Sequence, residues 1–173
     1  MSADELWDLR DIRGKLVGRT HARGAADWPD GAFHAVAGTV AVRRDGLVLM
    51  TLRSSMKDHP LTWEFPAGSA LAGESSLDAA VRELREETGL SIDADSMVAV
   101  GRFIETRALF DLFVTRLGDH ADLVLDGDEV AEAEWVAVEE ACRRWRAGLM
   151  AAPWESRLAQ LWPRLAEVID QSR

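Results

Sequence analysis

The stretch GSALAGESSLDAAVRELREETGL, running from Gly68 to Leu90, decides how the rest of the chain is read. Leu77, Val81 and Leu84, with Ala80 beside them, recur at three- and four-residue spacing and predict a helix over Ser75–Thr88 with one buried stripe. Ser75 or Ser76 suits the helix start, and Gly89 suits its stop. On that helix Glu83, Glu86 and Glu87 stand at i, i+3 and i+4. Three carboxylates therefore share a face, different from that of Leu77, Val81 and Leu84. Such crowding is unfavourable without a cation, and carboxylate oxygens are the hard ligands that Mg2+ and Mn2+ prefer. An isolated Arg82–Glu87 run would more often be a solvated helix face with ordinary Arg82 and Arg85 ion pairs. The fixed spacing to Gly68, Glu74 and Gly89 argues against that here.

Upstream, Leu6-Trp7-Asp8-Leu9 and Lys15-Leu16-Val17-Gly18 flank the turn residues 11–14 and predict a hairpin. Trp28-Pro29-Asp30-Gly31 reads as a loop. Ala35–Arg43 and Leu47–Arg53 form a second hairpin around Arg44-Asp45-Gly46. Trp63-Glu64-Phe65 is a brief strand before Pro66, and Gly68–Gly73 reads as a loop. Downstream, Val98–Ile104, Leu109–Arg116 and Ala133–Val138 read as strands, the last preceded by an acidic 126–134 loop. Glu139–Arg146 and Trp154–Ile169 read as closing helices, with Pro163 expected to bend the second or shift its start. Strands and helices in this order predict an α/β sandwich with helices flanking a mixed sheet.

The 173 residues suit one domain, and a hydrophobic content of 47% is enough for a continuous core. A net charge of -10 argues against a protein that grips a nucleic-acid backbone, and leaves a small phosphorylated substrate accessible through divalent cations. Met1 to Arg10 carry three acidic side chains and no apolar run, so no signal peptide or membrane span is visible and a cytoplasmic protein is expected. The single cysteine, Cys142, reads as structural or incidental. Two lysines against eighteen arginines suggest no mechanism.

From Gly68 the pattern is Gly, five residues, Glu74, seven residues, then Arg82-Glu83-Leu84-Arg85-Glu86-Glu87-Thr88-Gly89-Leu90. At every specified position this is similar to the signature of the Nudix hydrolases, and a chance match is on the order of one in a billion per window. The resemblance implies a single domain over 1–173 with the Nudix fold, an α/β/α sandwich with a mixed β-sheet. An N-terminal hairpin extension would span 1–33, the box 68–90 and the C-terminal helices 139–173. It implies Glu83 and Glu87 as metal ligands, with Glu86 as a third ligand or the base that activates water. Arg82 would orient these carboxylates and Glu74 would support them from the loop. Gly68 would permit the turn that lets the carbonyl of Ala67 face the metal. The cofactor implied is Mg2+, with Mn2+ as a substitute, and the reaction is attack of water on a phosphoanhydride of a nucleoside diphosphate linked to another group X. Members of the family are often homodimers.

A further acidic ligand often precedes a Trp-Val pair in this family. Glu129, six residues before Trp135-Val136, is the candidate, against its reading as an exposed loop carboxylate, and Glu105 is a second. Arg53 is a candidate for phosphate contact or a surface ion pair. Trp63, Phe33 and Trp28 are candidates for stacking on a base or for packing. Leu6-Trp7-Asp8, Gly18, His34, Leu52-Arg53-Ser54 and Trp63 resemble the branch that includes isopentenyl-diphosphate isomerase, with His34 and His21 near family histidine ligands. That enzyme's catalytic cysteine falls at Ala67, so isomerisation stands as an alternative to hydrolysis, beside a nucleotide-sensing domain without turnover. The ADP-ribose proline is absent near Glu105-Thr106, and the dinucleoside-polyphosphate tyrosine cannot exist in a chain without Tyr. Residues 49–54 echo a coenzyme A motif whose spacing to Phe65 is one residue short.

Overall fold

The computed structural model describes residues 5–119 and 121–171. Leu6–Arg10 (β1) and Leu16–Ala22 (β2) form an antiparallel hairpin of their own. A seven-stranded mixed sheet follows, built from His34–Val42 (β3), Val48–Arg53 (β4), Trp63–Glu64 (β5), Ala67–Ser69 (β6), Val98–Ile104 (β7), Ala108–Arg116 (β8) and Val130–Val136 (β9). Its order is β5-β4-β3-β8-β7, with β6 added to β3 and β9 to β4. β3 and β8 run parallel from His34 opposite Ala108 to Val42 opposite Arg116, and the other pairs are antiparallel. The helices are Ser76–Thr88 (α1), Val138–Arg146 (α2) and Pro153–Asp170 (α3).

The two-residue period of β3 distributes the layers. Val36, Val40 and Val42 point into a large core with Phe65, Phe110, Leu112 and the α3 residues Trp154, Leu158, Leu161 and Leu165. Ala35 and Ala37 point the other way, against Ala79 and Ala80 of α1, and Ala41 joins Leu84. Small side chains on both surfaces let α1 lie close to the sheet. That closeness sets the geometry of the cleft at its edge.

Most expected elements form within a residue or two of their predicted limits. Ser75 caps α1 in a reciprocal box with Asp78, and Gly89 ends it in the left-handed conformation (φ 75°). Four expectations need correction. The segment expected as a loop from Gly68 begins as β6, because Ala67, Gly68 and Ser69 pair with Gly38, Ala37 and Val36; Ala and Gly are poor strand formers, and the β3 backbone imposes the pairing. β9 starts at Val130 rather than Ala133. Glu134 lies on the same strand face as buried Val136, opposite Met50, and is held there by Arg144, so a charge on the core-facing side hid the alternation. Pro163 sits inside a continuous α3 that starts at Pro153, so the start is not shifted to it; Pro163 and Ala159, whose carbonyl loses its partner, both lie on the exposed side, where water can satisfy that carbonyl. The buried stripe of α1 is Ala79, Ala80, Leu84, Glu87 and Thr88, with Leu77 and Val81 only half-buried. Glu87 thus lies on the core side of the helix. Among the described residues no helix is long and apolar enough to cross a membrane.

Candidate active site

One cleft of about 480 Å3 opens where α1, β6 and two loops meet, lined by Ala67, Gly68, Arg82, Glu83, Glu86, Glu87, Glu129, Lys57 and Arg53 among others. The 83/86/87 spacing does bring three carboxylates to one cleft, at very different depths. The side chain of Glu86 is 51% exposed, that of Glu83 18% and that of Glu87 2%. Glu83 lies directly on Gly68: a Cβ at that position would meet its Cδ at 2.1 Å. Gly68 has no positive φ, so the glycine is required by this approach and not by a turn.

Arg82 organises the exposed side. Its Nη1 donates to Glu83 Oε1 (2.7 Å) and Glu86 Oε2 (3.0 Å), its Nη2 to the Ser69 carbonyl (2.9 Å), and its Nε to Glu74 Oε1 (2.8 Å). Glu74 Oε2 takes a further bond from Nη2 and one from the Leu71 amide. Burial works against the charged Glu74, but its bonds to Arg82 outweigh this and hold its pKa below the usual carboxylate range. Glu74 does not itself line the cleft; it fixes the guanidinium that does. The hairpin braces the same loop. Asp8 Oδ2 accepts from the Gly73 amide (2.7 Å), Arg10 Nη2 donates to the Glu74 carbonyl (3.0 Å), and the Ala72 amide donates to the Leu6 carbonyl (2.7 Å).

The deep side is organised by a residue that sequence reading passed over. Lys57, at 10% side-chain exposure, forms an ion pair with Glu129 and lies 3.5 Å from Glu87 Oε1. Burial disfavours its charge, but Glu87, Glu129 and Glu64 together raise its pKa. Burial pushes Glu87 well above the ordinary carboxylate range, and the neighbouring Glu64 adds to this; burial also raises Glu83. Both Glu87 oxygens are buried and accept no hydrogen bond. Glu64 was likewise passed over. It is buried on β5, receives Arg53 Nη1 on both oxygens (2.8 Å each), and is raised by its burial. Lys57 belongs to a loop with no periodicity, and Glu64 to a two-residue strand, so neither carried a sequence signal.

These residues fit a hard divalent cation: a carboxylate with two orphaned oxygens, a second packed on glycine and a third at Glu129, all in one cleft. As they stand, no group of three or more His, Cys, Asp or Glu side chains among the described residues is gathered closely enough to hold a metal ion. Arg82 and Lys57 supply the compensating charge instead.

Other sequence candidates fall elsewhere. Arg53 is half-buried and tied to Glu64, and its Nε donates to the Asp58 carbonyl (2.7 Å); it stands between the main cleft and an adjoining one of about 330 Å3. Glu105 lies in that second cleft, paired with Arg157 Nε (2.6 Å), away from the box carboxylates. Trp63 lines neither cleft; the Arg144 guanidinium covers its ring at 4.0 Å and the core takes the rest. Trp28 packs with Trp7, His21 and His34, the Trp7 and His34 rings stacking at 4.2 Å. Phe33 is half-buried in a bridge to Arg10. Cys142 lines a separate groove between α2 and α3.

The NUDIX domain family model matches residues 32–160. An uncharacterized Nudix hydrolase of Listeria monocytogenes is 37% identical over 139 residues, covering 79% of this chain and 82% of that protein. An RNA pyrophosphohydrolase of Erythrobacter litoralis is 38% identical over 78 residues, 45% of this chain and 47% of its own. A Deinococcus radiodurans crystal structure, DR0079, superposes with a TM-score of 0.69 at 22% identity, covering 85% of this chain and 92% of that one, which speaks to the fold. The chain belongs to the Nudix hydrolase family, whose members act on phosphorus-containing anhydrides.

Proposed function

We propose that this protein is a Mg2+-dependent pyrophosphohydrolase that cleaves the phosphoanhydride of a nucleoside diphosphate linked to X, or of a related organic diphosphate. The observation that carries the reading is the buried Glu87 carboxylate, with two unbonded oxygens facing a cleft shared with Glu83 and Glu129. Glu83, Glu87, Glu129 and the Ala67 carbonyl are the groups that would hold the cation. When bound, it would neutralise diphosphate charge and acidify a water molecule. Glu86, the most exposed of the three helix carboxylates, would accept a proton from attacking water at the cleft mouth, a role its exposure supports. The water oxygen then bonds to phosphorus as the bridging oxygen leaves with its electron pair. Arg82 keeps Glu83 and Glu86 in register during the transfer, and Glu74 keeps Arg82 in place. Arg53 stands at the passage to the adjoining cleft, where the group X has room.

Hydrolysis is favoured over isomerisation because Ala67 has no side chain that can carry a proton, and Cys142 lies in another groove. Among the relatives are an RNA and a CTP pyrophosphohydrolase. The test panel therefore holds nucleoside triphosphates, nucleotide sugars, isoprenoid diphosphates and 5′-triphosphate RNA, with Mg2+ or with chelator, reading released phosphate and pyrophosphate. Mg2+-dependent release that is lost in Glu86→Gln and Glu87→Gln supports the reading. A wild type inert on every compound, with both variants binding ligand as well as wild type does, overturns it in favour of a sensing domain. Conversion of isopentenyl diphosphate to its allylic isomer would restore the isomerase alternative.

A further inference from the structure

Three features of the deep side of the cleft belong together. The Lys57 ammonium occupies the space between Glu129 and Glu87 while almost wholly withdrawn from water. Its contact with Glu87, at 3.5 Å, is one of charge without a hydrogen bond, so the buried carboxylate is compensated but not saturated. A compact ion of higher charge would satisfy the same oxygens better. The third feature is the loop that delivers the lysine. Between Ser54 and Thr62 two residues other than glycine hold left-handed backbone, His59 (φ 52°) and Leu61 (φ 55°), a costly state for L residues. Met56 and Leu61 stand 82% and 60% exposed on the same loop. Its ends are anchored, Ser54 N to the Glu129 carbonyl (3.0 Å) and Leu61 N to the Arg53 carbonyl (3.1 Å). Between these anchors, Lys57 is the side chain that reaches into the carboxylate cluster. The Lys57 ion pairs hold the inner side of the loop against its backbone strain, beside the bonds from Arg53 Nε to the Asp58 carbonyl (2.7 Å) and from Thr62 Oγ1 to the His59 carbonyl (2.6 Å).

We infer that Lys57 is an exchangeable internal counter-ion: a divalent cation entering among Glu83, Glu87 and Glu129 displaces the ammonium, and the 54–62 loop moves out with it. Cation affinity and loop position are then coupled, so whatever holds the loop in place weakens cation binding and the reverse. This rests on the metal-dependent reading above and adds to it a residue that sets how tightly the metal is held.

The probe is Mn2+, titrated by electron paramagnetic resonance of the free ion against wild type and Lys57→Met, a change that keeps most of the side-chain volume and removes the charge. Amide hydrogen exchange of residues 54–62 is followed by mass spectrometry with and without saturating Mn2+. The expected result is at least about tenfold tighter Mn2+ binding by Lys57→Met. In wild type, loop exchange should rise several-fold on saturation; in the variant it should already be raised and should not respond. A wild-type loop indifferent to Mn2+ overturns the exchange even if Lys57→Met binds more tightly, since a field effect alone changes affinity without moving backbone. Equal or weaker binding by Lys57→Met overturns it too. Both outcomes leave the hydrolase reading standing if Mn2+ binds and supports turnover. If Mn2+ binds neither protein, both readings fall together. The wild-type exchange measurement decides the matter even if the variant folds poorly.

Discussion

Replacing Gly68 with alanine separates the site from the fold more cleanly than removing a carboxylate. The new Cβ would stand 2.1 Å from Glu83 Cδ, 2.2 Å from Oε1 and 2.5 Å from Oε2. Non-bonded carbons need about 3.5 Å, so the carboxylate must withdraw by more than about 1 Å. It can do so, because it is the end of a flexible side chain, and the backbone at Gly68 does not need a positive φ, so the pairing of β6 with β3 survives. Stability should fall only by about 1 kcal/mol, the order expected for losing one partly exposed bond from Arg82. Turnover should suffer far more. A 1 Å displacement of an organising group costs on the order of 100-fold, or about 2.7 kcal/mol of barrier. The assay is kcat/KM on whichever diphosphate the panel identifies, beside urea denaturation, for Gly68→Ala, Glu83→Gln and the double variant. If both changes act through the Glu83 carboxylate, the double variant is no worse than Glu83→Gln alone. Gly68→Ala activity within about threefold of wild type, or losses that multiply in the double variant, would refute the reasoning.

Three further outcomes follow from other parts of the molecule. His34, stacked on Trp7, has its pKa pushed down to about 4 by burial and by Arg157, Arg23 and His21. The unfolded chain takes up that proton near pH ~6.5 and the folded one only near 4. Stability should therefore be unaffected by His34 above pH ~6.5 and fall through the interval below it, by up to roughly 3 kcal/mol. His34→Phe should flatten that fall in urea midpoints between pH 7.5 and 5, and parallel profiles for the two proteins would contradict it. Gly38→Ala places a methyl 2.9 Å from Phe110 Cζ and 3.0 Å from Trp154 Cη2, two rings buried in the main core. Overpacking of about 1–3 kcal/mol should lower the melting temperature by several degrees, and an unchanged melting temperature would mean the rings have room. Asp8→Ala removes the acceptor of the Gly73 amide, so the loop bearing Glu74 loosens. Turnover should drop about three- to tenfold with a stability change within about 1 kcal/mol, and unaltered kinetics would show that the hairpin does not brace the site.

What the sequence made legible was local. Ser75 and Gly89 punctuate α1 because caps act within one turn, and β3 and β8 are apolar on both faces because helices cover both. β6 was hidden because its pairing is imposed by a distant strand on residues with little preference of their own. Lys57 and Glu64 join Glu87 and Glu129 through the return of β4, β5 and β9 beside α1; the family spacing before Trp135-Val136 pointed to Glu129, but no pattern along the chain marks Lys57 or Glu64. The 83/86/87 spacing fixed a shared cleft and said nothing of depth, since periodicity gives direction around a helix and not what lies beyond it.

Depth is nevertheless what would divide the work among three chemically identical side chains. Glu86, half exposed at the cleft mouth and held by Arg82, is the carboxylate of the three that water reaches most easily. One enclosed in protein can keep its charge only beside a cation, and burial already pushes Glu87 toward its neutral form despite Lys57. Glu83 lies between, steadied by Arg82 on one side and seated on the bare Cα of Gly68 on the other. The gradient follows from the face that α1 packs on the alanines of β3, with Glu87 on the buried side and Glu86 away from it, so it is the packing that would assign the roles. Exchanging aspartate for glutamate along the helix should therefore cost most at Glu87, where the shortened side chain would leave its charge short of any cation and still inside the protein. It should cost least at Glu86, where water can fill the gap. The reverse order in measured kcat would mean that depth does not set the roles, and that Glu86 holds the cation more tightly than its exposure suggests.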